Sequence, residues 1–246
     1  MKQFEEIKKE ILERAHNARA CTIQYKRAYQ SENLETLCNV IKDNFWWCCR
    51  NNVLDGELID KYKKIFSDNK IYHNVSIKSG FLLASGNSTV EASGNSTVKA
   101  YDNSTVKASG NSTVKASGNS TVQASGNSTV EAYGSTVQAS GNSTVKASGN
   151  STVKAYDNST VEASGNSTVK AYDNSTVKAS GNSTVKASGN STVEAYDNST
   201  VKAYDNSYIN CRSTIECVLK DNSIVRKWDT NTIQYVSDNL KFEKKY

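Results

Sequence analysis

The chain has 246 residues, 30 basic and 25 acidic side chains, a net charge of +5, six Cys, two His and no Pro. Residues 84–210 hold nine Lys against four Glu and five Asp and are neutral, so the small excess lies at the two ends, which argues against a basic track for phosphates. No apolar run approaches membrane-spanning length, and the charged residues 1–6 carry no export signal, so a cytoplasmic protein with no membrane or nucleic-acid partner is expected.

Residues 1–70 read as a small α-helical domain. Phe4, Ile7, Ile11, Ala15 and Ala18 recur at three- and four-residue spacing, the stripe of one buried helix face. A shorter helix is expected around residues 23–29. Ser31 is a candidate cap for the next, whose stripe is Leu34, Leu37, Cys38, Ile41, Phe45 and Cys48. Asn51-Asn52 and Asp55-Gly56 interrupt the pattern, and a last helix carries Leu58, Tyr62, Ile65 and Phe66. Strand character begins at Tyr72.

Within this domain Phe45-Trp46-Trp47-Cys48-Cys49-Arg50 is the densest run of large side chains, and such a run cannot face a single core. Two readings stand: packing of the helical domain onto the first strands of the chain, or a contact for a protein partner or a second copy through Trp46, Trp47 and Arg50.

From Ala84 to Asn210 one octad, Ala-(Ser/Tyr)-(Gly/Asp)-Asn-Ser-Thr-Val-(Lys/Glu/Gln), recurs sixteen times. Eight residues cannot bury a core alone, so the units must stack as a solenoid. Two-residue alternation places Ser, Val and Ala inward and Thr, the Lys/Glu/Gln position and Ser/Tyr outward; the opposite register would bury the Lys/Glu/Gln position in every unit. Gly/Asp-Asn forms the corner between strands of about six residues. The thin inward set favours two units per coil over three, giving about eight coils and a rod near 38 Å at about 4.8 Å per coil. One unit, Ala132 to Gln138, lacks the corner Asn, a deletion that leaves strand register intact. The fourteen Asn-Ser-Thr triplets read as corner residues and not as glycan acceptors.

Outward features are a ladder of Thr89, Thr97, Thr105, Thr113, Thr121 and onward to Thr200, and the scattered Tyr101, Tyr133, Tyr156, Tyr172, Tyr196 and Tyr204. In residues 211–246 the repeat decays into a degenerate cap: Cys211 and Cys217 stand in for Ala, residues 227–234 read as a coarse last copy, and charged residues 241–246 blunt the end. His16 and His73 lie far apart, no matched Cys pairs suit zinc, and no phosphate loop or nucleophile elbow is present; no enzyme, metal or cofactor is expected.

The octad resembles that of bacterial ice-nucleation proteins, β-solenoids repeating Ala-Gly-Tyr-Gly-Ser-Thr-x-Thr. The likeness is carried by Ala132-Tyr133-Gly134 and Ser135-Thr136 and covers residues 84–210. It implies a β-solenoid, and through the outward Thr an ice-binding or water-organising surface. This chain departs at the second Thr, which here is Glu91, Lys99, Lys107 or Gln123. The expectation is therefore a mainly β chain with a helical N-terminal cap, acting as a non-enzymatic spacer or display surface, with ice binding as the alternative.

Overall fold

The computed structural model describes residues 2–236. Six helices, α1 (Lys2–Asn17), α2 (Thr22–Tyr29), α3 (Leu34–Asp43), α4 (Phe45–Arg50), α5 (Gly56–Lys61) and α6 (Lys63–Asp68), precede a β-solenoid of about nine turns over residues 77–227. The expected last helix is two short ones. The expected Ser31 cap is replaced by Asn33, whose Oδ1 accepts from Thr36 N–H at 2.9 Å while Thr36 Oγ1 accepts from Asn33 N–H at 3.3 Å, a reciprocal capping box. Ser31 is unavailable because its hydroxyl donates back to Arg27 O at 3.1 Å, closing α2.

The coil holds two octads. Strands sixteen residues apart are parallel and in register, as in Thr152↔Thr168 and Val153↔Val169. Each regular strand is the four residues Thr-Val-x-Ala, not six, because the corner takes the other four. In the corner Ser104 N–H donates to Tyr101 O at 3.3 Å, and the residue after Tyr or Ser holds a positive φ, near +55 to +70° at Gly and Asp alike. Gly adopts that backbone freely and Asp tolerates it.

Asp also adds a bond. Asp157 Oδ2 accepts from Gly141 N–H, and Asp205 Oδ2 from Gly189 N–H, each at 2.9 Å and one coil back. The next residue, Asn, stacks along the rod, as where Asn182 Nδ2 donates to Asn166 Oδ1 at 3.3 Å.

Val and Ala of both sheets are buried throughout and form one continuous core. The inward Ser is buried without cost where its hydroxyl donates to the carbonyl three residues back, as Ser128 Oγ does to Ser125 O at 2.7 Å. Among the described residues the Ser88, Ser104 and Ser191 hydroxyls lack a partner. At the short unit Thr136 pairs with Thr121, fifteen residues back, and with Thr152, so the deletion is absorbed at the corner.

The two open edges are covered differently. At the start, β1 (Ile71–His73) pairs in parallel with β2 (Ile77–Ala84), and Leu83 and Phe81 join the helical core. At the end, residues 227–234 are not a further coil: Thr232–Tyr235 turns back antiparallel on Ile224–Lys227, with Asn231 at φ +50° closing the hairpin. Cys217 stands at the Val position, opposite Val201, rather than at an Ala position. The charged residues 241–246 lie outside the described residues.

Candidate functional site

Three features have the chemistry for function: the seat of the helical domain, a polar relay at the junction, and the two outward faces.

Helix α4 lies against the solenoid. Trp46 and Trp47 are half-buried, Phe45 and Cys49 are buried, and Arg50 is exposed. Phe45 meets the Phe81 ring edge-on at 5.1 Å, and Lys115 of the second full coil places its ammonium 5.0 Å from the Trp46 ring centre. A cleft of about 1000 Å³ separates α4 from the flat strands below, with Trp46, Trp47 and Arg50 on one wall and Lys115, Glu131 and Lys146 on the other. Burial lowers the Lys99 pKa there, and it pushes Cys38 up to about 11 and Cys48 up to about 12.

The junction holds a constellation that the sequence did not reveal, because its members are separated by turns of chain with no motif spacing. His73 Nδ1 lies 2.9 Å from Asp60 Oδ2, and His73 Nε2 lies 2.9 Å from Ser85 Oγ. A carboxylate only accepts, so Nδ1 carries a proton toward Asp60, while Nε2 and the Ser85 hydroxyl share the second hydrogen bond. This is the connectivity of a Ser-His-Asp triad. Its surroundings hold it closely. The His73 ring sits on Gly56, where a Cβ would come within 2.3 Å of Nε2. The Gly86 amide beside Ser85, where an oxyanion would need a donor, donates instead to the Asp102 carboxylate at 3.2 Å. Burial raises the pKa of the Tyr101 phenol, which neighbours Ser85. Helix α5, β1 and the first corner are thereby tied through one ring. The only sequence signal was His73 itself, a lone His at the end of the first strand.

Register divides the outward side chains into two unlike faces, a division that composition hides. The first face carries, in order along the rod, Glu91, Lys107, Gln123, Gln138, Lys154, Lys170, Lys186 and Lys202. The second carries Lys99, Lys115, Glu131, Lys146, Glu162, Lys178 and Glu194. From Lys115 onward the charges on the second face alternate, and two pairs form, Lys115 with Glu131 at 2.8 Å and Lys146 with Glu162 at 3.9 Å; on the first face Lys107 pairs with Glu91 at 3.3 Å. On the first face four lysines stand in consecutive coils, and Lys154, Lys170 and Lys202 make no ion pair among the described residues.

The single Thr ladder becomes two files. Thr89, Thr105 and Thr121 are on the first face, Thr97 and Thr113 on the second. Tyr101 packs against the helical core, whereas Tyr156 and Tyr172 stack at 5.0 Å and 8° along one edge of the first face.

Among the described residues no group of three or more His, Cys, Asp or Glu is arranged to hold a metal ion, and no helix is long and apolar enough to cross a membrane. Comparison of the chain with protein-family models, curated proteins and solved structures gives no match. The likeness to ice-nucleation proteins thus rests on the residues of the octad.

Proposed function

We propose that this protein is a non-enzymatic structural or interaction protein: a rigid, overall neutral rod that displays two chemically different faces, with the helical domain as its attachment to a protein partner or a second copy. The observation that carries this reading is the sorting of charge by register. The second face carries the ion pairs Lys115–Glu131 and Lys146–Glu162, whereas the first, beyond Lys107–Glu91 at its start, presents four consecutive lysines flanked by Thr. Alternation, as on the second face, would have been the more stable choice on the first as well. The free thiols, three of them buried in the helical domain, suit a reducing compartment, and we place the protein in the cytoplasm.

Attachment is expected through Trp46, Trp47 and Arg50, which border the open cleft at α4. Light scattering and small-angle scattering on the intact chain test it. A stable dimer, or a specific complex with a protein partner, that is lost on Arg50→Glu and Trp47→Ala while the rod keeps its circular dichroism supports the reading. A strict monomer with no protein partner whose capture depends on these residues removes the attachment role.

A second reading, ice binding or organisation of water, rests on the two outward Thr files and the resemblance of the octad. Long mobile lysines and glutamates beside each Thr weigh against a flat water template. Thermal hysteresis that disappears on Thr168→Val and Thr184→Val would favour this reading; its absence at millimolar protein would end it.

A further inference from the structure

The small helical domain contains a cavity whose origin is legible in α2. The inward positions of that helix are Gln24, Tyr25 and Ala28, and the small Ala28 is its one buried residue. Its large aliphatic Ile23 and terminal Tyr29 point outward, 72% and 64% exposed. Helix α2 therefore stands off from α3 and α4 and leaves a concavity of about 260 Å³.

The walls are Ile11, Ala28, Ile41, Val53 and Trp47, and no charged side chain lines the space. Two carboxamides, Gln24 and Asn44, supply polarity. Asn44 Nδ2 donates to Gln24 Oε1 at 3.2 Å and to Val40 O at 2.8 Å, while Gln24 Oε1 also accepts from Arg27 Nη1 at 2.8 Å. That leaves the Gln24 amide donor and the Asn44 amide acceptor without hydrogen bonds among the described residues. Arg27 is itself neutralised by Asp43 at 2.7 Å.

We propose that this cavity binds a small, uncharged, largely apolar molecule of one or two rings, carrying one neutral hydrogen-bonding group held by Gln24 and Asn44. Size sets the first limit: an apolar cavity of about 150 Å³ takes benzene, and drug-sized ligands need pockets of about 300 Å³ or more. Charge sets the second, because nothing in the lining would compensate a buried ion. Pre-formation sets the third. The fold leaves this apolar lining partly open, so an apolar body seated there would remove apolar surface from water.

The test uses the intact chain, with 1-naphthol as probe and naphthalene-1-sulfonate as its charged counterpart, in calorimetric titration and thermal melts. Expected are saturable one-to-one binding of 1-naphthol, a rise in Tm with ligand, and at least tenfold weaker binding of the sulfonate. Ala28→Leu, which fills the cavity, and Ala20→Leu at its mouth should each weaken 1-naphthol binding at least tenfold while the helical circular dichroism is kept. The second variant decides the matter where the first does not fold. No saturable binding, equal binding of the sulfonate, or undiminished binding by the folded filled variants would overturn the proposal.

Discussion

Exchanging the charge at one outward position should have opposite effects on the two faces, although the octads concerned read alike. Lys170 lies between Lys154 and Lys186 on the first face, and Glu162 between Lys146 and Lys178 on the second. Neighbouring strands are about 4.8 Å apart. Two unit charges at that distance in water interact by about 0.9 kcal/mol, and physiological salt with a Debye length near 8 Å brings this to about 0.5 kcal/mol. Lys170→Glu turns two repulsions into two attractions, a change of about 2 kcal/mol if the charges stayed in line. Exposed side chains splay outward, and exposed pairs are worth only about 0.2–1 kcal/mol, so a gain of roughly 1 kcal/mol is expected. Glu162→Lys should lose roughly the same. For a chain of this size that is a shift of about 2–4 °C in Tm, upward for the first variant and downward for the second. Both residues already serve at this position in the repeat, so strand propensity largely cancels. Melts at 20 mM salt should show the opposed shifts, and melts at 1 M salt should bring both variants close to the parent. Shifts of the same sign, or shifts indifferent to salt, would refute the sorting of charge by face.

Gly165 holds φ +66° between Gly149 and Gly181 in the corner stack; Gly165→Asp should be tolerated because Asp157 occupies the equivalent place one octad earlier with its carboxylate on the amide below, whereas Gly165→Val should cost about 1–2 kcal/mol or more, as read by denaturant midpoint. At the junction His73→Ala removes both bonds of the relay and should cost about 1–3 kcal/mol, and Gly56→Ala should reproduce the loss by displacing the ring. A serine-directed fluorophosphonate should leave Ser85 unlabelled in the parent; labelling lost in His73→Ala would make the relay a catalyst. With iodoacetamide near neutral pH, exposed Cys21 should react first, while Cys38 and Cys48, pushed up to about 11 and 12 by burial, should react only on unfolding, a sequence that mass mapping over time resolves.

Much of the rod was legible because an octad with a charged or polar side chain at its last position has only one tolerable register. The inward Val and Ala, the corner and the harmless deletion all followed from that. Strand length was misjudged: the inward Ser beside each corner bonds the turn carbonyl and belongs to the bend, although alternation alone would add it to the strand. The end of the chain was misread because Lys227-Trp228-Asp229-Thr230 resembles an octad closely enough to suggest another coil, while the positive φ at Asn231 turns it into a hairpin. The face sorting was implicit in the sequence but required the two-octad coil to be fixed first. The Asp60-His73-Ser85 relay and the cavity behind α2 were not legible, since each depends on how the helices seat on the first coil.

The two-octad coil underlies both faces and can be tested by cysteine pairs. Lys154→Cys with Lys170→Cys places thiols on adjacent in-register strands, whose spacing lies within disulfide reach. Lys154→Cys with Lys178→Cys, twenty-four residues apart, would be adjacent in a three-octad coil but lies on opposite faces here. Mild oxidation followed by peptide mapping should give the 154–170 disulfide within one chain and no 154–178 disulfide. The reverse result would contradict the two-sided rod and the two faces built on it.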